Sequence, residues 1–189
     1  ILLRFSKFSG RQKETHQINA ACEAYRDEVS SEAAQYDMSD YVDLILAVMM
    51  QESSGQGTDP MQSSEGAYNT RYPQQPNGIT DPSYSISCGI QELKYALDKA
   101  GCTGPTDLSK IRLALQAYNF GADSYFAYLE ENGQTVWTAQ SAQAFAQMAS
   151  GGTQRDEDDP LHDPAGPWDY GDQYYPDHVL RYYHLDNNS

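Results

Sequence analysis

Leu44-Ile-Leu-Ala-Val-Met-Met-Gln-Glu52-Ser53-Ser54-Gly55 is an apolar run that stops at one carboxylate, two hydroxyls and a glycine. With Tyr41 and Val42 ahead of it, Leu44, Ile45, Leu46, Val48, Met49 and Met50 cover every side of a helix. Such a helix belongs in the interior rather than on a surface. Ser39 and Asp40 stand where an N-cap and a favourable first-turn charge are expected, and Gly55 where a left-handed residue ends a helix. The reading is a buried rod that carries Glu52 to its rim. A glutamate held against apolar packing has its charged form disfavoured, so its pKa rises towards that of a useful general acid. The bland alternative, Glu52 as the first solvated residue after a core helix, is the default for an isolated Glu. The rest of the chain decides between them.

Composition narrows the field. The 189 residues suffice for one good core, and a formal net charge of −15 argues against direct binding to nucleic acid or anionic lipid, both of which need basic patches. A neutral or cationic partner, or a long polymer read by hydrogen bonding and stacking, is compatible with it. No apolar run approaches the ~20 residues that span a bilayer. Ile1-Leu-Leu is too short for a signal-peptide core, and an export signal or membrane anchor is expected upstream. Cys22, Cys88 and Cys102 fit either one disulfide with a leftover thiol or three free thiols. None of the four histidines falls at a metal-ligand spacing on a helix, and His178 and His184 read as surface residues; neither metal nor organic cofactor is expected.

Around the central rod the periodicity is helical. Gln12 to Gln35 reads as a charged outer helix, a lid or brace, with Ile18, Ala21, Cys22, Tyr25 and Val29 on one face. Gly55 to Ser83 has no regular pattern, is rich in Gly, Pro, Ser, Asn and Gln, and at that length is expected to be functional. Ser85 is read as the cap of a helix ending at Gly101. Pro105-Thr106-Asp107 opens another, which breaks at Asn119-Phe120-Gly121 and resumes to Gly133. Thr138 to Ala149 forms an alanine-rich helix, and Pro176 starts a short last one after an acidic segment, Asp156 to Asp159, and a Pro/Gly-rich loop. No strand exceeds a few residues and no repeat is visible. The fold class is mainly α.

Three short motifs line up in order: Glu52-Ser53 at the end of a buried helix, Ser85-Ile-Ser-Cys-Gly89-Ile90-Gln91 entering a helix from a loop, and Ala117-Tyr118-Asn119-Phe120-Gly121 at a helix break. Their order resembles the lysozyme-like superfamily of peptidoglycan glycosidases, including goose-type lysozymes and soluble lytic transglycosylases. With Met61-Gln62-Ser63-Ser64-Glu65, Tyr170-Gly171-Asp172 and His178-Val-Leu-Arg181-Tyr-Tyr added, the match narrows. The chain then looks like the bacterial lysozyme domain of CwlT-like cell wall hydrolases. That family occurs on conjugative elements of Gram-positive bacteria, usually joined to a C-terminal NlpC/P60 peptidase domain. No Cys-His peptidase signature occurs in these residues. The resemblance covers Tyr41 to Tyr183 and implies a lysozyme-like fold, helical with little strand and of the α+β class by family. It also implies a single domain over 1–189, with 1–38 as an N-terminal helical extension and 39–185 as the catalytic core.

By the same resemblance the chain is a surface-anchored or secreted muramidase acting on peptidoglycan glycan strands, with Glu52 as general acid. Glycosidic cleavage also needs a group that activates water or attacks the sugar. Asp59 and Glu65, on the stretch after Glu52, are the candidates, Asp59 slightly favoured because it precedes Pro-Met-Gln-Ser; each reads equally well as a solvated loop carboxylate. Without either, the sugar's own 6-hydroxyl attacks, as in lytic transglycosylases, and leaves a 1,6-anhydro product. Ser53, Gln62, Ser63, Ser87, Gln91, Tyr118 and Asn119 are the candidate substrate-binding residues, each with an ordinary structural alternative as loop, cap or core residue. Tyr68 and Tyr72 suit the flank of a sugar groove, and Trp168 suits packing. The rival class is a glycan-binding or scaffold module that keeps the fold without the chemistry.

Overall fold

In the computed structural model, which describes residues 16–185, the apolar run is helix α3 (Val42–Ser53), and every side chain from Leu44 to Met49 is fully buried. α1 (Ala20–Glu23), α2 (Arg26–Gln35) and α8 (Tyr175–Leu180) pack on it. α4 (Pro82–Ala100) runs along α5 (Leu108–Phe120), and α5 in turn meets α6 (Ala122–Glu131) and α8. α7 (Ala139–Ala149) joins the core through Ala142, Phe145 and Ala146. The only β pairing among the described residues is an isolated antiparallel bridge between Gln154 and Trp168. The mainly helical class read from the sequence is the class of this structure.

Four local expectations change. The outer helix is interrupted at Ala24–Tyr25, and its first residues, Gln12 to Thr15, lie outside the described part. It is more than a charged brace, since Cys22, Val29 and Ala33 are wholly buried in the same core as α3. Ser39 does not cap α3: Ser39–Tyr41 is a 3₁₀ turn that runs straight into it, so the chain is already helical at that point. Ser54, at φ 55°, takes the left-handed cap before Gly55 is reached, and its N–H bonds to the Met50 carbonyl at 3.1 Å. Ser85 is not a cap either. α4 starts four residues earlier because Pro82 is pre-organised for a first helical turn and Asp81 accepts the N–H of Ser83.

The stretch between α3 and α4 is irregular, as read, and well tied down. Buried Asp59, 1% exposed, is its hub. One carboxylate oxygen accepts the Ser85 hydroxyl at 2.6 Å and the Ser63 N–H at 3.1 Å. The other accepts the Ser64 N–H at 3.2 Å and the Ser64 hydroxyl. Gly89 on α4 lets Met61 lie against the helix; a Cβ there would sit 2.6 Å from the Met61 Cβ. The three cysteines are all free, Cys22 and Cys88 in the interior and Cys102 half-buried.

At the opposite end an aromatic cluster fastens the chain that follows α7. Phe120, Tyr125, Phe145 and Tyr170 have ring centroids 5.1–5.8 Å apart, mostly edge to face, a favoured arrangement. The Tyr170 hydroxyl donates to the Phe120 carbonyl at 2.8 Å. This anchors Gly171 and Asp172 directly over the end of α5. No described helix is long and apolar enough to cross a membrane.

Candidate active site

α3 brings Glu52 to the lip of a cavity of about 520 Å³. The walls facing it come from α8 and the segment before it: Asp172, Tyr175, His178 and Arg181, with Gln51 and Asn119 alongside. The Tyr175 hydroxyl donates to Glu52 Oε1, a contact between residues 123 positions apart. Burial pushes the Glu52 carboxyl up to about 7; the Tyr175 hydrogen bond opposes the rise, and the Asp172 and Asp59 charges add to it. At neutral pH such a group holds its proton for a good part of the time, which an acid catalyst requires.

Ser53, beside it, bonds the Pro60 carbonyl at 2.7 Å and ties the helix end to the following loop. Tyr118 stacks on Tyr175 with centroids 6.3 Å apart, and its hydroxyl donates to the Met61 carbonyl at 3.1 Å. It therefore supports the Tyr175–Glu52 contact through that ring. Asn119 lines the cavity and accepts the backbone N–H of Asp172 at 2.7 Å. The buried Gln116, one turn earlier on α5, donates to the Asp172 carbonyl at 2.8 Å. Gly171 makes that fit possible: its φ is 51°, and a Cβ would lie 2.6 Å from Asn119 Oδ1.

The other predicted residues fall elsewhere. Asp59 is not an open carboxylate facing Glu52, because its oxygens are occupied by the donors of its own loop and by Ser85. Glu65 is exposed and lines a separate cavity of about 250 Å³ with Tyr68, Glu92, Tyr95 and Tyr118. Burial pushes Glu92 up to about 7, against a hydrogen bond from the Ala67 backbone and with the charges of Glu52 and Asp59. Ser63 is buried and donates to the Ser85 carbonyl at 2.9 Å. Gln62 is exposed and bonds Asn77 and the Asp59 carbonyl. Ser87 pairs with Tyr36 of the neighbouring segment at 3.1 Å and with Gln91; neither lines the Glu52 cavity. Tyr72 packs on Tyr84 with centroids 5.5 Å apart, and Trp168 is half-buried against the core.

Sequence reasoning missed Tyr175, Asp172 and His178 as parts of the site. Tyr170-Gly171-Asp172 and His178-Val-Leu-Arg181 were visible as motifs, but no spacing ties them to a glutamate on α3. His178, read as a surface residue, has its ring Nδ1 2.5 Å from Asp172 Oδ2. That hydrogen bond raises its pKa above the usual histidine value, against the effect of burial. Among the described residues no group of three or more His, Cys, Asp or Glu side chains is placed to hold a metal ion.

The lysozyme-like family model matches residues 20–183, from α1 to just beyond α8. The chain belongs to the lysozyme-like family. It is 36% identical over 169 residues to the bifunctional muramidase/DL-endopeptidase CwlT of Bacillus subtilis, covering 89% of this chain and 44% of that protein. It is 37% identical to the pneumococcal vaccine antigen A homolog of Streptococcus pyogenes serotype M1, over 58% of this chain and 50% of the other. A crystal structure of a lipoprotein-like NLP/P60 family protein from Staphylococcus aureus superposes with a TM-score of 0.75 at 27% identity, covering 92% of this chain and 56% of that one. The chain thus spans about half the length of the curated relatives it matches. The resemblance to CwlT-like hydrolases read from the motifs agrees with these likenesses.

Proposed function

We propose that this chain is a peptidoglycan N-acetylmuramidase that cuts the β-1,4 bond between N-acetylmuramic acid and N-acetylglucosamine. Glu52 is the acid that protonates the leaving oxygen. One observation carries the reading: a half-buried glutamate with a pKa near 7 stands at the lip of a cavity and is held in place by a tyrosine hydroxyl. A module that only binds glycan has no use for such a group. The similarity to a bifunctional muramidase supports the substrate class. Asn119, Tyr118 and Tyr175 hold the walls of the site around the sugar. Ser53, Gln62 and Ser63 shape the loop beside it, and Ser87 and Gln91 brace α4 behind it. The likenesses to a lipoprotein-like protein and to an endopeptidase-bearing hydrolase favour a protein displayed at the cell surface, with an NlpC/P60 domain in its full length. Local opening of the wall during conjugative transfer fits that placement.

A second reading is favoured by the engagement of Asp59 in its loop: the 6-hydroxyl of the sugar attacks and leaves 1,6-anhydro ends. Mass spectrometry of digested, purified peptidoglycan separates the two. Reducing muramic acid ends are the expected outcome, and anhydro ends would make the chain a lytic transglycosylase. Glu52→Gln keeps the shape and the Tyr175 contact but has no proton to transfer. Its rate on the same substrate is expected to fall by about 10²–10⁴-fold, with a melting temperature unchanged at about pH 5, where Glu52 holds its proton. Wild-type activity in that variant would leave the binding-module reading in its place.

A further inference from the structure

Hydrolysis by the muramidase reading needs a group that accepts a proton from the attacking water, and neither Asp59 nor Glu65 stands open at the Glu52 cavity. His178 does. It lines that cavity and lies one helical turn beyond Tyr175, the residue whose hydroxyl touches Glu52. Side chains three apart on a helix share a face, about 5–6 Å between their Cβ atoms. The ring is also oriented. Asp172 Oδ2 holds Nδ1 at 2.5 Å, and Asp172 itself is fixed at three points. Its backbone N–H goes to Asn119, its carbonyl to Gln116, and its Oδ1 accepts the Tyr174 N–H at 2.9 Å. An ionised carboxylate only accepts hydrogen bonds, so the proton of the neutral ring sits on Nδ1 and the lone pair on Nε2.

We propose that His178, oriented by Asp172, is the general base of this site, paired with Glu52 as its acid; this rests on the muramidase reading. The water oxygen forms a bond to the anomeric carbon of the muramic residue, and the bond from that carbon to the bridging oxygen breaks. The bonding pair stays on the leaving oxygen, which takes the proton of Glu52. The proton of the water goes to His178 Nε2. The turnover leaves a carboxylate and an imidazolium, and transfer of that proton back through solvent restores both. His178 is then a catalytic residue and Asp172 a positioning residue.

The charges facing the imidazole are Asp172 and Asp163, which favour its cation, and Arg181, which opposes it; Glu52, Arg155 and His162 line the same cavity. The active form has Glu52 protonated and His178 neutral, so the rate falls on the acid side as His178 gains its proton and on the alkaline side as Glu52, at about 7, loses its own.

The test is initial rate against pH on purified peptidoglycan for wild type, His178→Gln, His178→Ala and Asp172→Asn, with products identified by mass spectrometry. His178→Gln is expected to lower kcat by about 10²–10⁴-fold, to leave KM within about threefold and to lose the acid limb. His178→Ala should recover rate when imidazole is added, which a purely structural role would not allow. Asp172→Asn should move the acid limb to lower pH. An acid limb and kcat unchanged in His178→Gln would overturn the proposal while leaving the muramidase reading intact; 1,6-anhydro ends from wild type, where no water is activated, would overturn both. A wild-type protein that releases no glycan fragments would bring down the muramidase reading, and this one with it.

Discussion

Two irregular stretches flank the helices of this protein, residues 54–81 after the central rod and residues 150–174 before the last helix, and they do opposite work. The first is rich in hydroxyls and amides and turns Asp59, Ser63, Ser64 and Asn69 inward. Asp59, Ser63 and Ser64 are buried and bonded to one another or to Ser85, and Asn69 gives its side-chain amide to the Ser64 and Tyr72 carbonyls. The stretch before the last helix is plain in sequence, acidic and proline-rich, yet it delivers Asp172 to the cavity that holds Glu52. The lesson is that polar residues are available for chemistry only when the backbone around them is satisfied by something else. Around Asp172, α5 supplies that service through Gln116 and Asn119. Around Asp59 the side chains must supply it themselves, because a loop with buried backbone groups has few other partners.

Substitutions can break this contrast or sharpen it. The largest stability effect is expected at the Asp59 hub. Asp59→Ala strands the Ser63 and Ser64 N–H groups and two serine hydroxyls in the interior. Unpaired buried donors cost about 1–3 kcal/mol each, and partial relaxation leaves an expected total of about 3–5 kcal/mol. Urea unfolding followed by circular dichroism measures it. Full stability with lost turnover would mean that Asp59 leaves its loop to act at the cleft, and the contrast would fail.

In residues 150–174 the expected balance is reversed. Gly171→Ala forces a Cβ against Asn119 Oδ1 and Phe120 at a left-handed φ. A stability loss of about 1–3 kcal/mol is expected. Turnover should fall by a larger factor than that loss explains at temperatures where the variant is folded, because Asp172 is displaced. Parallel melting curves and rates on purified peptidoglycan decide it.

The smallest effect is a pH dependence. Glu52 and Glu92, at about 7 in the folded protein, bind protons more tightly than an unfolded glutamate. Their contribution to stability is therefore complete below the unfolded pKa of about 4.3 and is lost as pH rises towards 7. His178, also raised, works in the same direction, its share present below the unfolded histidine value and lost as pH passes its folded one. The melting temperature should thus drop between about pH 5 and pH 7.5, and Glu52→Gln should flatten the slope. A melting temperature that climbs over that range would contradict the buried, proton-holding carboxyls.

Much of the molecule was legible in the residues. The unbroken apolar surface of Leu44–Met49 could only be buried, the breaks at Gly101, Gly121 and Gly133 fell where helices end, and Asp107 and Thr138 cap α5 and α7. Glu52 was legible because the rod that carries it is local. The errors were of another kind. Ser85 resembled a cap and proved to be a buried partner of a carboxylate 26 residues away, while Ser39 proved part of a 3₁₀ turn that runs into α3.

By itself the order of residues determined the helical class, the central rod and the acid at its tip, since these follow from hydrophobic periodicity and burial over a dozen neighbouring positions. Only the tertiary structure decided the company Glu52 keeps. Tyr175 bonds it, and Asp172 and His178 line the same cavity, because α8 packs across α3 and α5 and the chain in between is fastened by the Phe120–Phe145–Tyr170 cluster. Contacts made across 123 residues leave no period or spacing to read, which is why nothing local in the sequence placed Tyr175 against Glu52 or Asp172 and His178 in its cavity.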